Sequence, residues 1–128
     1  MQADPTQASP DSRTVLVVED DELVRTSTAE LLRDLGHEVI EAHSAEAAML
    51  VIRSRPIDVL FTDVALPGMS GDVFAAEARA VQPTVRIVFA TGTDRIPDVG
   101  GGDSPVLLRK PFDQAAIAAA LGSTRREG

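Results

Sequence analysis

No cysteine occurs among the 128 residues of this chain, which rules out disulfides and thiolate metal sites and fits a reducing compartment. Tryptophan and tyrosine are absent as well, so four phenylalanines are the only aromatic side chains. A basic patch of the kind that nucleic acid requires is not expected at a net charge of −8. No apolar run approaches the ~18 residues of a membrane span, and no basic-then-apolar leader opens the chain. The expectation is one soluble, cytoplasmic domain with no nucleic-acid or membrane partner, long enough to bury an ordinary core. Lysine is nearly absent too: eleven of the twelve basic residues are arginine and only Lys110 is not. Genome composition accounts for the arginine excess, but Arg109 next door shows that arginine was available at this point of the chain. A compact ammonium meets an oxyanion as a point charge, which a forked guanidinium does not.

What is present alternates. Residues 1–13 mix Gln, Asp, Ser and Pro and read as a flexible tail, 14–122 as the folded domain, and 123–128 as a second tail. Val15–Val18 is a continuous apolar run, as expected for a strand covered on both faces. Asp21 or Glu22 then caps a helix with Val24, Thr28, Leu31, Leu32 and Leu35 at helical spacing, ended by Gly36. A weaker strand spans His37–Ala42. A helix capped by Ser44 runs to about Ser54, where Pro56 stops it, and Ile57 opens a third strand. A third helix, from about Asp72 to Val81, should bury Val73, Phe74, Ala78 and Val81. Strands at Val85–Ala90 and Val106–Arg109 follow, and a last helix starts at Asp113. Between those two strands, Pro97 and Gly100-Gly101-Gly102 oppose a helix, so a loop or a single turn is expected over 94–104. That glycine run reads equally as an inert linker or as a mobile gate. Alternation of this kind predicts an α/β fold: a doubly wound, five-stranded parallel sheet with helices on both faces.

In such sheets ligands bind at the carboxyl ends of the strands, near the point where strand order reverses. Three apolar runs end there in charge. Val15–Val18 leads into Glu19-Asp20-Asp21, Ile57–Thr62 into Asp63, and Val106–Leu108 into Arg109-Lys110. Three carboxylates and one ammonium at one sheet edge suit a divalent cation and phosphoryl chemistry. Hard carboxylate oxygens match Mg²⁺, a carboxylate attacks phosphorus to give an acyl phosphate, and the remaining work is positioning and charge neutralisation. Thr91, ending the fourth strand, offers a hydroxyl donor. Taken singly these residues have plainer explanations. Asp63 before a Pro-Gly turn is an ordinary turn cap, Thr91 an ordinary strand end, and Asp21 a helix cap rather than a ligand. Asp58, His37 and His43 read as surface residues, and Met49 and Met69 as packing and loop residues.

Four stretches together resemble the receiver domain of two-component response regulators. They are Val17-Val18-Glu19-Asp20-Asp21, Thr62-Asp63-Val64-Ala65-Leu66-Pro67-Gly68-Met69-Ser70-Gly71, Ala90-Thr91-Gly92 and Arg109-Lys110-Pro111-Phe112. The likeness covers about Thr14 to Leu121 and implies a flavodoxin-like receiver fold. It also implies that Asp63 accepts a phosphoryl group from a phosphohistidine on a kinase or phosphotransfer protein. It further implies that Asp20, Asp63 and the Ala65 carbonyl bind Mg²⁺ directly and Glu19 through water, that Thr91 is the switch hydroxyl, and that Lys110 binds the phosphoryl group. A cis Lys110–Pro111 bond is implied as well. Two departures stand out. Leu107 replaces the Tyr or Phe usual three residues before the lysine, and the helix before the last strand is eroded. The Phe89-Ala90-Thr91-Gly92 stretch is similar to receivers paired with HWE-type histidine kinases. The expected function is a stand-alone signalling phosphoacceptor with an unknown downstream protein, not an enzyme. Alternatives are a phosphate sink or shuttle, and a Mg²⁺-dependent aspartyl-phosphate phosphatase. The phosphatase is disfavoured because Ala65 stands where its general acid would be.

Overall fold

The structure, a computed structural model, describes residues 13–64, 66, 68–91, 106–110 and 112–123. In chain order they form β1 (Thr14–Val18), α1 (Glu22–Asp34), β2 (Glu38–Ala42), α2 (Ala45–Ser54), β3 (Val59–Asp63), α3 (Gly71–Val81), β4 (Arg86–Thr91), β5 (Val106–Arg109) and α4 (Gln114–Ser123). All strand pairings are parallel, in the order β2-β1-β3-β4-β5. The expected doubly wound α/β sheet is what forms. The loop expected over 94–104 lies outside the described residues.

Alternation along each strand divides the core in two. Leu16, Val18, Leu60, Ile87 and Phe89 face α2 and α3, where they meet Met49, Ile52, Phe74 and Ala78. Val15, Val17, Val59, Phe61 and Val88 face α1 and α4, where they meet Ala29, Leu32, Ile117 and Leu121. Most of these side chains are fully buried, and each large one contributes about 1.5–3 kcal/mol relative to exposure. The caps read from the sequence hold. Asp21 Oδ1 accepts the Val24 N–H at 3.0 Å, Ser44 Oγ that of Ala47 at 3.1 Å and Asp113 Oδ1 that of Ala116 at 2.9 Å. Gly36 turns the chain out of α1 at φ +96°, which L side chains rarely adopt.

Four local expectations change. Val73 and Val81 are about half exposed, because α3 buries the stripe Gly71, Phe74, Ala75 and Ala78, and those two valines lie beside it. Val24 also keeps about a third of its surface exposed; the residues α1 buries are Thr28, Ala29 and Leu32. His37 is half-buried, and its Nδ1 accepts the Arg13 N–H at 3.1 Å. The cause is that the chain before β1 continues alongside β2, with Glu38 N–H donating to the Arg13 carbonyl at 2.9 Å.

The amino end of the sheet is tied by a residue that composition does not mark out. Gln82 Oε1 accepts the Ile57 N–H at 2.8 Å, and its Nε2 donates to the carbonyls of Ile52 and Arg55 at 2.7 and 2.8 Å. One amide thus joins the end of α2, the entry to β3 and the end of α3. Asp58, exposed as expected, accepts the Thr14 N–H at 2.8 Å.

Candidate functional site

The period of two that builds the core also builds the site. Val15 and Val17, Val59 and Phe61, and Val106 and Leu108 share the α1/α4 face of the sheet. The next residues of the same parity are Glu19, Asp63 and Lys110. Glu19 stays in register because its N–H continues the β1–β2 ladder, donating to the Ala42 carbonyl at 3.1 Å. The result is direct contact at the carboxyl end of the sheet between residues that follow β1, β3 and β5, with β4 lying between the last two. Lys110 Nζ donates to Asp63 Oδ2 at 2.9 Å and to Glu19 Oε1 at 3.3 Å. Glu19 Oε2 accepts the Asp21 N–H at 3.1 Å.

The electrostatics follow from burial. Burial raises the Glu19 pKa above the ordinary carboxylate value and the nearby charge of Asp63 adds to the rise, against the opposing Asp21 N–H and Lys110. Burial pulls Lys110 down, but the hydrogen bond and charge of Asp63, with those of Glu19, outweigh it and the net direction is upward. Lys110 is therefore a firmly charged counterion between two carboxylates.

Asp20 has the opposite parity, opens the turn into α1 and is exposed. Among the described residues no three acidic or histidine side chains are gathered as a ligand set, since the ammonium of Lys110 lies between the two carboxylates that do meet. The donor chemistry nonetheless fits Mg²⁺. That ion takes one or two carboxylates and keeps several waters, and Glu19, whose charge burial disfavours, gains from a nearby cation. Thr91 ends β4 opposite Arg109. Its side chain, the Ala65 carbonyl and the Lys110–Pro111 bond lie outside the described residues.

Two contributors were not marked by the sequence reading. Gly71 opens α3 against the end of β3, with its N–H donating to the Val64 carbonyl at 2.6 Å. A Cβ at Gly71 would stand 2.7 Å from the carbonyl oxygens of Asp63 and Val64, closer than any side chain tolerates. Arg25 reaches from α1 to the acidic turn, where Nη1 donates to the Glu19 carbonyl at 3.0 Å. The turn motif did contain Gly71, but only the approach of α3 explains it; nothing in the sequence distinguishes Arg25 from the other ten arginines. Beside the site an apolar groove is lined by Leu23, Val24, Leu31 and Phe112 together with Lys110. Phe112 rests edge-on against Phe61, ring centroids 5.8 Å apart. Leu107 is half-buried against the α2/α3 layer.

Residues 15–122 match the family model described as the response regulator receiver domain. The chain belongs to that family. Among curated relatives, it is 36% identical to the transcriptional regulatory protein FixJ of Azorhizobium caulinodans over 93% of its own length, and spans 60% of FixJ. The solved receiver domain of the hybrid histidine kinase CckA is 30% identical, with a TM-score of 0.76 over 88% of this chain and 99% of that one. The chemotaxis response regulator CheY4 of Vibrio cholerae, 24% identical, shares the fold with a TM-score of 0.80 over 89% of this chain and 99% of that one. Receiver domains are phosphoacceptors of two-component signalling rather than enzymes, and the fold and the convergence of Glu19, Asp63 and Lys110 agree with that role. Among the described residues no helix is long and apolar enough to cross a membrane.

Proposed function

We propose that this receiver accepts a phosphoryl group on Asp63 from a phosphohistidine of a histidine kinase or phosphotransfer protein. The observation that carries the reading is the 2.9 Å bond between Asp63 and the chain's only lysine. An Asp63 carboxylate oxygen attacks phosphorus, the new O–P bond forms, and the N–P bond breaks with its electron pair returning to imidazole. Lys110 already lies against Asp63, so it can shift from the carboxylate to the phosphoryl oxygens without crossing the site. Thr91, at the end of the adjacent strand, supplies a hydroxyl to the same group. Asp20, Asp63 and the Ala65 carbonyl would hold Mg²⁺ directly and Glu19 through water. When bound, the ion supplies neutralisation of charge on the transferring phosphoryl oxygens.

The donor lies across the groove beside Lys110, whose apolar lining suits a helical protein surface. That the kinase is of the HWE type rests on the Phe89-Ala90-Thr91-Gly92 motif alone. Output is a protein contact altered by phosphorylation. Because Leu107 stands where a reorienting ring is usual, the signal leaves through the segment after Thr91. Incubation with acetyl phosphate and Mg²⁺ should add one phosphoryl group to the wild type, by intact-protein mass, and none to Asp63→Asn. Labelling that persists in Asp63→Asn overturns the assignment.

A further inference from the structure

Arg25 sits where it can govern the acidic turn without belonging to it. It lies in the first turns of α1, with only 17% of its side chain exposed, and divides its donors between two partners. Nη1 donates to the Glu19 carbonyl at 3.0 Å and Nε to Glu41 Oε1 at 3.3 Å. Glu41, on β2, is held in turn by Arg33 through Oε2 at 3.4 Å. The backbone around Glu19 is therefore fixed on both sides, its N–H by the Ala42 carbonyl and its C=O by Arg25. That C=O belongs to the peptide that leads into Asp20, so its orientation sets the direction in which the Asp20 carboxylate leaves the sheet edge.

Stability does not explain the arrangement well. Partly exposed ion pairs such as those on Glu41 contribute little, whereas a hydrogen bond that fixes the backbone beneath metal-binding carboxylates changes metal affinity strongly. Arg33 provides a built-in contrast. It shares Glu41 with Arg25 and also donates to a backbone carbonyl, that of Val39 at 3.2 Å, but that carbonyl is remote from the acidic turn.

We infer that Arg25 is a positioning residue for the acidic turn: its bond to the Glu19 carbonyl orients the Glu19–Asp20 peptide so that the turn binds a divalent cation. The inference rests on the proposed phosphoacceptor site. The test is a Mg²⁺ titration of the whole chain followed by backbone amide NMR, comparing wild type, Arg25→Met and Arg33→Met. Arg25→Met should weaken Mg²⁺ binding by about tenfold and move the Asp20 amide resonance in the metal-free protein. Arg33→Met should leave both unchanged. If Arg25→Met does not fold, Arg25→Lys takes its place, and its single head group shared between two acceptors should weaken binding measurably but by less than the loss in Arg25→Met. Equal affinity in wild type and the folded Arg25 variant overturns the inference, as does an equal loss in Arg33→Met. A wild type that shows no Mg²⁺-dependent shifts overturns the site reading itself, which the variants alone do not.

Discussion

At the amino end of the sheet, Gln82 and Asp58 direct their polar atoms to backbone groups, whereas at the carboxyl end Lys110 joins Glu19 and Asp63 side chain to side chain. The first arrangement satisfies donors and acceptors that the turns leave over, which stabilises the fold. The second holds two carboxylates together, one of them with its charge disfavoured by burial, and relieves them with one ammonium. A fold needs the amino end; chemistry needs the carboxyl end. Both ends are built on the same five strands, so substitutions at each should separate stability from phosphorylation.

The largest effect is expected where the two requirements meet. Gly71→Ala places a methyl against the carbonyls of Asp63 and Val64 and should destabilise by about 3 kcal/mol. Because the strain falls on the end of β3, phosphorylation by acetyl phosphate should drop as well. Denaturant unfolding and phosphorylation kinetics measure the two losses; a stable Gly71→Ala protein with normal kinetics would show that α3 does not brace the site. Gln82→Ala removes three hydrogen bonds at the opposite end and should cost about 2 kcal/mol. Its phosphorylation rate per folded molecule should match wild type. A slowed rate would break the contrast between the two ends.

The smallest effect is a pH dependence that this composition makes unusually legible. Without cysteine or tyrosine, Lys110 is the only side chain whose ordinary pKa falls between histidine and arginine. Its folded pKa is raised above the ordinary lysine value of 10.5, so its contribution is fully present below that value. The contribution is lost as pH rises through the higher folded value. Thermal unfolding midpoints of wild type and Lys110→Met, followed from neutral pH into this alkaline range, should converge as the ammonium deprotonates. Parallel curves would mean that Lys110 is not the counterion of Glu19 and Asp63.

Much of the architecture was legible because it rests on local rules. Continuous apolar strands, capped helices at Asp21, Ser44 and Asp113, and the terminating Gly36 each carry their own signal in the sequence. The misjudged valines, Val24, Val73 and Val81, fail for a shared reason. Helical spacing marks more apolar positions than one stripe can bury, and only the angle at which a helix meets the sheet selects among them. His37 failed differently, since its partner is the backbone of Arg13, twenty-four residues away.

The site divides along the same line. Chemistry-bearing residue types at strand ends, and a solitary lysine, are properties of the sequence, and they were enough to single out Asp63, Glu19 and Lys110. Strand order was not, and it is what makes β1 and β3 neighbours and brings Lys110 within 2.9 Å of Asp63. Arg25, Glu41, Gly71 and Gln82 matter only through contacts across 6 to 30 positions of the chain. Sequence alone determined which atoms are available for phosphoryl chemistry, because composition and period are local. Tertiary structure decided which of them touch and what braces them, because parallel crossovers set distances that no local pattern encodes.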